Sequence, residues 1–218
     1  MQLNFGKIKN DEAIVTYIKA ADDSLCAIGY TEHSFAHVGR VSSEAARILS
    51  ELGYDEKTVE LAKIAGYMHD IGNLVNRVEH AQSGALLAFR ILDRMGMDAE
   101  DIATVVTAIG NHHEDIGVPV NAVAAAIILA DKCDVRRSRV RNHDALTFDI
   151  HDRVNYSVTN SDLIIENGKI SLRLTIDTEI SSIMDYFEIF LGRMTMCRRA
   201  AEKLGLAFKL TINEQRFI

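Results

Sequence analysis

The sequence predicts a mainly α-helical protein that ends in a small α+β module. Apolar residues recur at helical spacing through most of the first part of the chain, and Pro119 is the single proline among 218 residues. After about residue 145 the pattern changes to short β-rich runs that flank an Asn-Gly pair. We therefore expect a helical domain over residues 1–145 and a module over residues 146–218 that contains a β-hairpin, a long helix and a strand.

Six helices are expected in the helical domain, because each apolar stripe is bounded by a start or stop signal. Asp55 and Asp98 can accept hydrogen bonds from free N–H groups at a helix start, and Gly53 and Gly96 follow the last apolar positions of two helices. Pro119 suits the first turn of a helix because its φ is fixed and it lacks an N–H. The expected ranges are about 10–29, 31–52, 56–71, 80–95, 98–113 and 119–134.

The module is expected to contain several strands and one helix. Asn167-Gly168 between two β-rich runs is a strong signal for a tight hairpin turn. The expected strands cover residues 154–158, 163–165, 170–176 and 206–212, and the expected helix covers residues 178–204. An exposed edge strand can pair with a second copy of the chain, so a homodimer is also expected from this module.

Composition argues against several classes of protein. The net charge of −7 offers no general surface for polyanions, so a nucleic-acid polymer is not expected as a partner. The three cysteines are odd in number and widely spaced, which disfavours a disulfide framework and indicates a reducing, cytoplasmic location. No apolar run approaches the roughly 20 residues that a membrane span needs, and the N-terminus does not have the pattern of a signal peptide.

Histidines fall where the expected helices begin or end. Six of the eight precede Pro119, and they are His33, His37, His69, His80, His112 and His113. His69-Asp70 follows an apolar helical run, and Gly72 suits the end of that helix. Asp131 follows a second apolar run, where a carboxylate is costly unless it is paired or binds a cation. Ligands from five helices can form a metal site in a helical bundle, and imidazole with carboxylate suits Fe, Mn, Ni, Co or Zn.

These motifs, in this order, resemble the HD superfamily of metal-dependent phosphohydrolases. The matching pieces are His37-x-x-Arg40-Val41, His69-Asp70-Ile71-Gly72, His80-x-x-x-Gly84, His112-His113-Glu114 and Ala130-Asp131. They span roughly residues 30–135. The set is most similar to the two-metal branch that has extra histidines between the His-Asp pair and the last aspartate, a branch that includes the HD-GYP cyclic-dinucleotide phosphodiesterases. The resemblance implies an HD-domain helical bundle.

The resemblance also implies a ligand set. His37, His69, Asp70 and Asp131 would surround one metal ion, and Asp70 would bridge to a second ion held by His80 and His112, with His113 as a further candidate. His69, Asp70 and Asp131 would thus be the catalytic residues. In a two-metal site a bridging water loses its proton near neutral pH and attacks phosphorus in line. His33 is a candidate ligand for a third metal ion, whereas His143 and His151 are expected at the surface.

Two departures from the HD-GYP branch affect the substrate. Asn73 stands where that branch has a lysine, and the Gly-Tyr-Pro segment is missing, so cyclic di-GMP is not implied. Basic side chains that could position an anionic substrate are Arg40, Lys132 and the cluster Arg136, Arg137, Arg139 and Arg141. We therefore expect hydrolysis of a small phosphomonoester or phosphodiester, such as a nucleotide or cyclic nucleotide.

Two other functions fit the same ligand order. Some HD proteins are di-iron oxygenases, like myo-inositol oxygenase, and turnover without O₂ on a redox-inert metal would exclude that class. The chain could also be a non-catalytic sensor that binds a nucleotide and signals through its C-terminal module. The complete set of metal-ligand residues argues against a degenerate site.

Overall fold

The computed structural model describes residues 3–141 and 148–218. Over these residues the fold is mainly helical with a small sheet near the C-terminus, as the sequence predicts. The helices are α1 (Phe5–Lys9), α2 (Glu12–Ala27), α3 (Phe35–Glu51), α4 (Glu56–Met68), α5 (His80–Arg94), α6 (Ala99–Gly110), α7 (Ala122–Lys132), α8 (Ile150–Ser157) and α9 (Ile183–Lys203). The strands are β1 (Val158–Glu166), β2 (Lys169–Ile176), β3 (Ala207–Ile212) and β4 (Gln215–Arg216). No helix in the described ranges has the length and apolar character needed to cross a membrane.

Helix α7 lies at the centre of the core. Every residue from Val123 to Ala130 is buried, and α3, α4, α6 and α9 pack around this helix. The same hydrophobic cluster continues into the sheet through Ile170, Leu172 and Phe208. The helical part and the C-terminal module therefore share one core, and their division into two domains after residue 145 stays a prediction.

The sheet has the order β1-β2-β3-β4. Its hairpin is the expected one: Glu166 pairs with Lys169 across Asn167 and Gly168, which both have positive φ, as in a type I′ turn. Helix α9 joins β2 to β3, so these two strands run parallel. In the described sheet β1 is an edge strand, and a homodimer through this edge stays a prediction.

One expected strand is wrong, and one expected helix begins later than predicted. Residues 154–157 belong to α8 and not to a strand, because the Asp149 side chain caps a helix by accepting from the Asp152 N–H. The helix expected from Pro119 begins only at Ala122, where the Asn121 side chain accepts from the Ala124 N–H. Local capping outweighs the apolar alternation in the first case and the proline preference in the second.

Gly72 does not end a helix in the way that the sequence suggests. Helix α4 ends at Met68, and a short 3₁₀ helix over Ile71–Leu74 follows, in which Gly72 does not have positive φ. A Cβ atom at Gly72 would instead overlap the His80 carbonyl oxygen and the Gly84 amide of α5. The missing side chain thus lets the turn after Asp70 touch the start of α5, which places His80 next to Asp70.

Replacement of Gly72 by alanine should lower the free energy of unfolding by about 2–3 kcal/mol, because the overlapping atoms are backbone atoms that cannot rotate away. The matched control is Gly192→Ala in α9, where a Cβ has open space. Removal of that helical glycine should stabilise by about 0.5–1 kcal/mol. Urea unfolding of both variants measures the difference, and equal stability of Gly72→Ala and wild type would contradict the packing argument.

Candidate metal centre

The ends of five helices bring six polar side chains into one buried cluster. His37 lies in the first turn of α3, His69 and Asp70 directly follow α4, and His80 is the first residue of α5. His112 follows α6, and Asp131 lies near the end of α7. All six are buried. Such a concentration of polar groups in a core requires compensation.

Asp70 stands between two pairs of histidines. Its Oδ2 is 3.2 Å from Nε2 of His69 and 3.6 Å from Nε2 of His37. Its Oδ1 is 3.5 Å from Nε2 of His80 and 3.8 Å from Nε2 of His112. Each carboxylate oxygen therefore faces a different pair of imidazoles, which is the arrangement a bridging carboxylate needs.

Asp131 also contacts the His37–His69 pair. Its Oδ1 is 3.3 Å from Nε2 of His37 and 3.8 Å from Nε2 of His69. Three groups have ligand atoms that all lie within 4.8 Å of one another: His37, His69 and Asp70; His69, His112 and Asp131; and Asp70, His80 and His112. The overlap of these groups means that the cluster could hold metal ions side by side.

Hydrogen bonds orient the four rings so that Nε2 faces the cluster. In each ring Nδ1 lies within hydrogen-bond distance of a fixed oxygen: Asp134 Oδ2 for His37 (2.8 Å), and the carbonyl oxygens of Gly66 for His69 (2.8 Å), Arg77 for His80 (2.9 Å) and Ile109 for His112 (2.6 Å). Carbonyl and carboxylate oxygens can only accept here, so Nδ1 donates in each ring, and a neutral ring keeps a lone pair on Nε2. Metal-binding histidines are commonly held in this way.

Two of these lone pairs have no hydrogen-bond partner among the described residues. They belong to Nε2 of His37 and Nε2 of His69, which are both buried. Leaving a buried polar atom unsatisfied costs about 1–3 kcal/mol. A divalent cation would satisfy both atoms and the two carboxylates, so the residues present fit a metal centre.

The charge states of the cluster also suit a metal. Burial, with help from the positive charges near it, lowers the pKa of His80 to about 3, and burial likewise lowers the pKa of His112. Both rings are therefore neutral at neutral pH and able to donate a lone pair. Burial alone would raise the pKa of Asp70 and lower that of His69, but the two groups stabilise each other's charge, so the pKa of Asp70 is well below its usual range and the pKa of His69 is raised.

His113 and His33 lie beside the cluster and not within it. Nδ1 of His113 is 3.6 Å from Asp115, and its ring is edge-on to His80, but His113 joins none of the three ligand groups. His33 hydrogen-bonds to the Thr31 carbonyl and contacts the His37 ring. His143 lies outside the described residues. Metal binding by His113, and a third ion at His33, stay predictions.

Lys132 and Glu114 connect the cluster to α9. Nζ of Lys132 is 2.8 Å from Asp131 Oδ2 and 2.7 Å from Glu114 Oε2, and Nε of Arg193 donates to Glu114 Oε1 over 3.2 Å. Burial would lower the pKa of Lys132, but these two carboxylates outweigh it and raise that pKa. Lys132 is thus a buried cation that forms ion pairs with two carboxylates.

The other predicted substrate residues hold the structure around His37. Nε of Arg40 and Nε of Arg136 lie 3.1 and 2.9 Å from Asp134 Oδ1, and Asp134 in turn orients His37. Arg137 donates to the Tyr156 carbonyl and lies over the Tyr156 ring. Substrate contact by Arg40, Lys132, Arg136 and Arg137 stays a prediction, since these four are not among the described residues that line the adjoining cavity.

A cavity of about 740 Å³ opens beside His80 and His113. This volume is in the range of small-molecule sites in proteins. Three arginines line it: Arg77, Arg139 and Arg193. Sequence reasoning missed Arg77 and Arg193 as site residues. The position of Arg77, three residues before His80, was an available signal, whereas the contribution of Arg193 depends on long-range packing of α9.

Replacement of His112 by alanine should remove one bound metal ion per chain, because His112 belongs to two of the three ligand groups. Replacement of its neighbour His113 should leave the metal content unchanged, which makes it the matched control. The measurement is metal content by mass spectrometry after dialysis against a low metal concentration. Equal loss of metal in both variants would contradict the assignment.

Comparison with known proteins finds similarity to the HD domain over part of the chain. Residues 34–136 match the HD domain family model. The chain is 32% identical to ribonuclease Y of Opitutus terrae over 112 residues, which are 51% of this chain and 20% of that protein. It is 28% identical to an uncharacterized protein of Methanocaldococcus jannaschii over 156 residues, 62% of this chain and 60% of that protein.

The chain is also similar to a solved structure, that of a predicted HD superfamily hydrolase from an uncultured Thermotogales bacterium. The identity is 26%, the TM-score is 0.47, and the match covers 62% of this chain and 75% of that one. The chain spans only about a fifth of the length of the ribonuclease Y relatives. HD domains bind divalent metal ions, and the matched segment contains the six clustered residues. The family model thus supports the resemblance that the sequence predicts over residues 34–136, which are just under half of the chain.

Proposed function

We propose that the chain is a metal-dependent phosphohydrolase that acts on a small phosphomonoester or phosphodiester, such as a nucleotide or cyclic nucleotide. The observation that supports this most strongly is the position of Asp70. Each of its carboxylate oxygens faces the Nε2 atoms of a different pair of buried imidazoles. This arrangement fits two metal ions side by side, next to a cavity lined by arginines.

His37, His69, Asp70 and Asp131 would hold one ion, and Asp70, His80 and His112 would hold the other. When bound, two divalent transition-metal ions supply a water molecule that ionises near neutral pH and neutralise charge on phosphoryl oxygens. The chain's own residues keep the ligand atoms in place: Asp134 orients the His37 ring, and the Asn73 amide donates to Asp70 Oδ1 over 3.1 Å. Such fixed orientation lowers the cost of reorganisation during reaction.

A small substrate fits this site better than a polymer. The cavity of about 740 Å³ can enclose a molecule of nucleotide size. The chain has a net charge of −7, whereas surfaces that bind nucleic acids are basic. The ribonuclease Y relatives act on RNA, as their name states, and the chain matches about a fifth of each. We propose that the hydrolytic domain is shared and that the substrate here is smaller.

Wild-type protein loaded with Mn²⁺ should release phosphate, or a nucleoside monophosphate, from at least one member of a panel of nucleotides and cyclic nucleotides. Asp70→Asn should lower the rate by about 100-fold or more, because it weakens both halves of the metal site. The matched control is Asp23→Asn, an exposed aspartate of α2 whose replacement should leave the rate unchanged.

The same assays run without O₂ separate hydrolysis from oxygenation. Turnover that continues under anaerobic conditions supports the phosphohydrolase. Product formation that requires O₂ and releases no phosphate would contradict it and would favour the di-iron oxygenase. A complete lack of turnover with metal-loaded protein would favour the non-catalytic nucleotide sensor.

A further inference from the structure

Arg77 places a positive charge at the edge of the metal cluster. Its Nη1 is 3.4 Å from Nε2 of His80 and 3.3 Å from Oδ1 of Asn73, and its guanidinium lies over the Tyr30 ring at 5.3 Å. Arg77 and Tyr30 both line the cavity. The guanidinium is thus held by contacts on more than one side, which fixes its position at the cavity wall.

Arg77 differs from the other arginines of this wall. Arg193 is paired with the Glu114 carboxylate. Arg139 donates its N–H groups to the carbonyl oxygens of Glu32 and Asp134. Among the described residues, no carboxylate lies within 4.0 Å of the Arg77 guanidinium, since none of the ion pairs includes it. The charge of Arg77 is therefore available to an anion in the cavity.

Asn73 links this charge to the centre of the cluster. Its amide nitrogen donates to the Asp70 carbonyl over 2.9 Å and to Asp70 Oδ1 over 3.1 Å. The amide oxygen is then directed at Arg77. The residue that orients the bridging carboxylate thus also orients the guanidinium, so the two are fixed relative to each other.

A cation beside His80 would repel a metal ion held there. This repulsion disfavours the metal site unless a negative group binds between the ion and the guanidinium. A phosphoryl group has the required charge, and the planar guanidinium can donate two hydrogen bonds to its oxygens. The geometry therefore suits an anion shared by Arg77 and the ion next to His80.

We propose that Arg77 binds the phosphoryl group of the substrate and makes phosphate and metal binding at His80 cooperative. The inference rests on the proposed phosphohydrolase function and names the residue that recognises the phosphate. Because coupling between two ligands is reciprocal, bound phosphate should tighten the binding of the metal by the same factor as metal tightens phosphate.

The test is calorimetric titration of full-length protein with Mn²⁺ and with inorganic phosphate. Arg77→Ala should weaken phosphate binding to the metal-loaded protein by about 10-fold or more, since it removes a charged partner. Without phosphate, its affinity for Mn²⁺ should equal or exceed that of wild type. Arg77→Lys keeps the charge and loses the planar guanidinium, so its phosphate affinity should lie between those of wild type and Arg77→Ala. Arg90→Ala, an exposed arginine of α5, is the matched control.

Unchanged phosphate affinity in Arg77→Ala would overturn the inference. Loss of Mn²⁺ binding by this variant without phosphate would also overturn it, because Arg77 would then serve to hold His80. If wild type hydrolyses phosphoesters in either case, the proposed function stands and only the role of Arg77 fails. Wild-type protein that binds metal but neither binds phosphate nor hydrolyses a phosphoester would overturn both.

Discussion

The buried carboxylate of Asp70 is the constraint on which the site depends. It lies within 3.8 Å of the Nε2 atoms of four histidines, and each of those rings is fixed through Nδ1 by a backbone carbonyl oxygen or by Asp134. A carboxylate in such a place is stable only if cations or hydrogen-bond donors surround it. The starts of α3 and α5 and the ends of α4 and α6 converge on this group.

Close backbone contacts make that convergence possible. Gly72 lets the turn after Asp70 touch the start of α5, and Gly66 lets α4 approach the backbone of α3 at Ser42. The apolar helix α7 packs against both α3 and α4 and presents Asp131 where its buried run ends. Lys132 forms ion pairs with Asp131 and Glu114, and Arg193 of α9 forms an ion pair with Glu114. These contacts join α9 of the C-terminal module to the site.

Much of this could be predicted from the sequence, because metal-ligand residues recur in an ordered set and helix ends have local signals. The cluster of His37, His69, Asp70, His80, His112 and Asp131 follows from that order, and the Asn167-Gly168 hairpin follows from turn chemistry. The true role of Gly72 could not be predicted, since it depends on α5 and not on local conformation. Likewise, whether Lys132 or Arg77 faces the cavity depends on side-chain contacts between distant segments.

The most direct test of this account is the identity and number of metal ions in the wild-type protein. Mass spectrometry would measure both on protein purified without an affinity metal column. We expect two transition-metal ions per chain, shared through Asp70 between the His37–His69 pair and the His80–His112 pair. One ion per chain or none, under conditions where metal is not limiting, would contradict the bridging role of Asp70 and with it the two-metal mechanism.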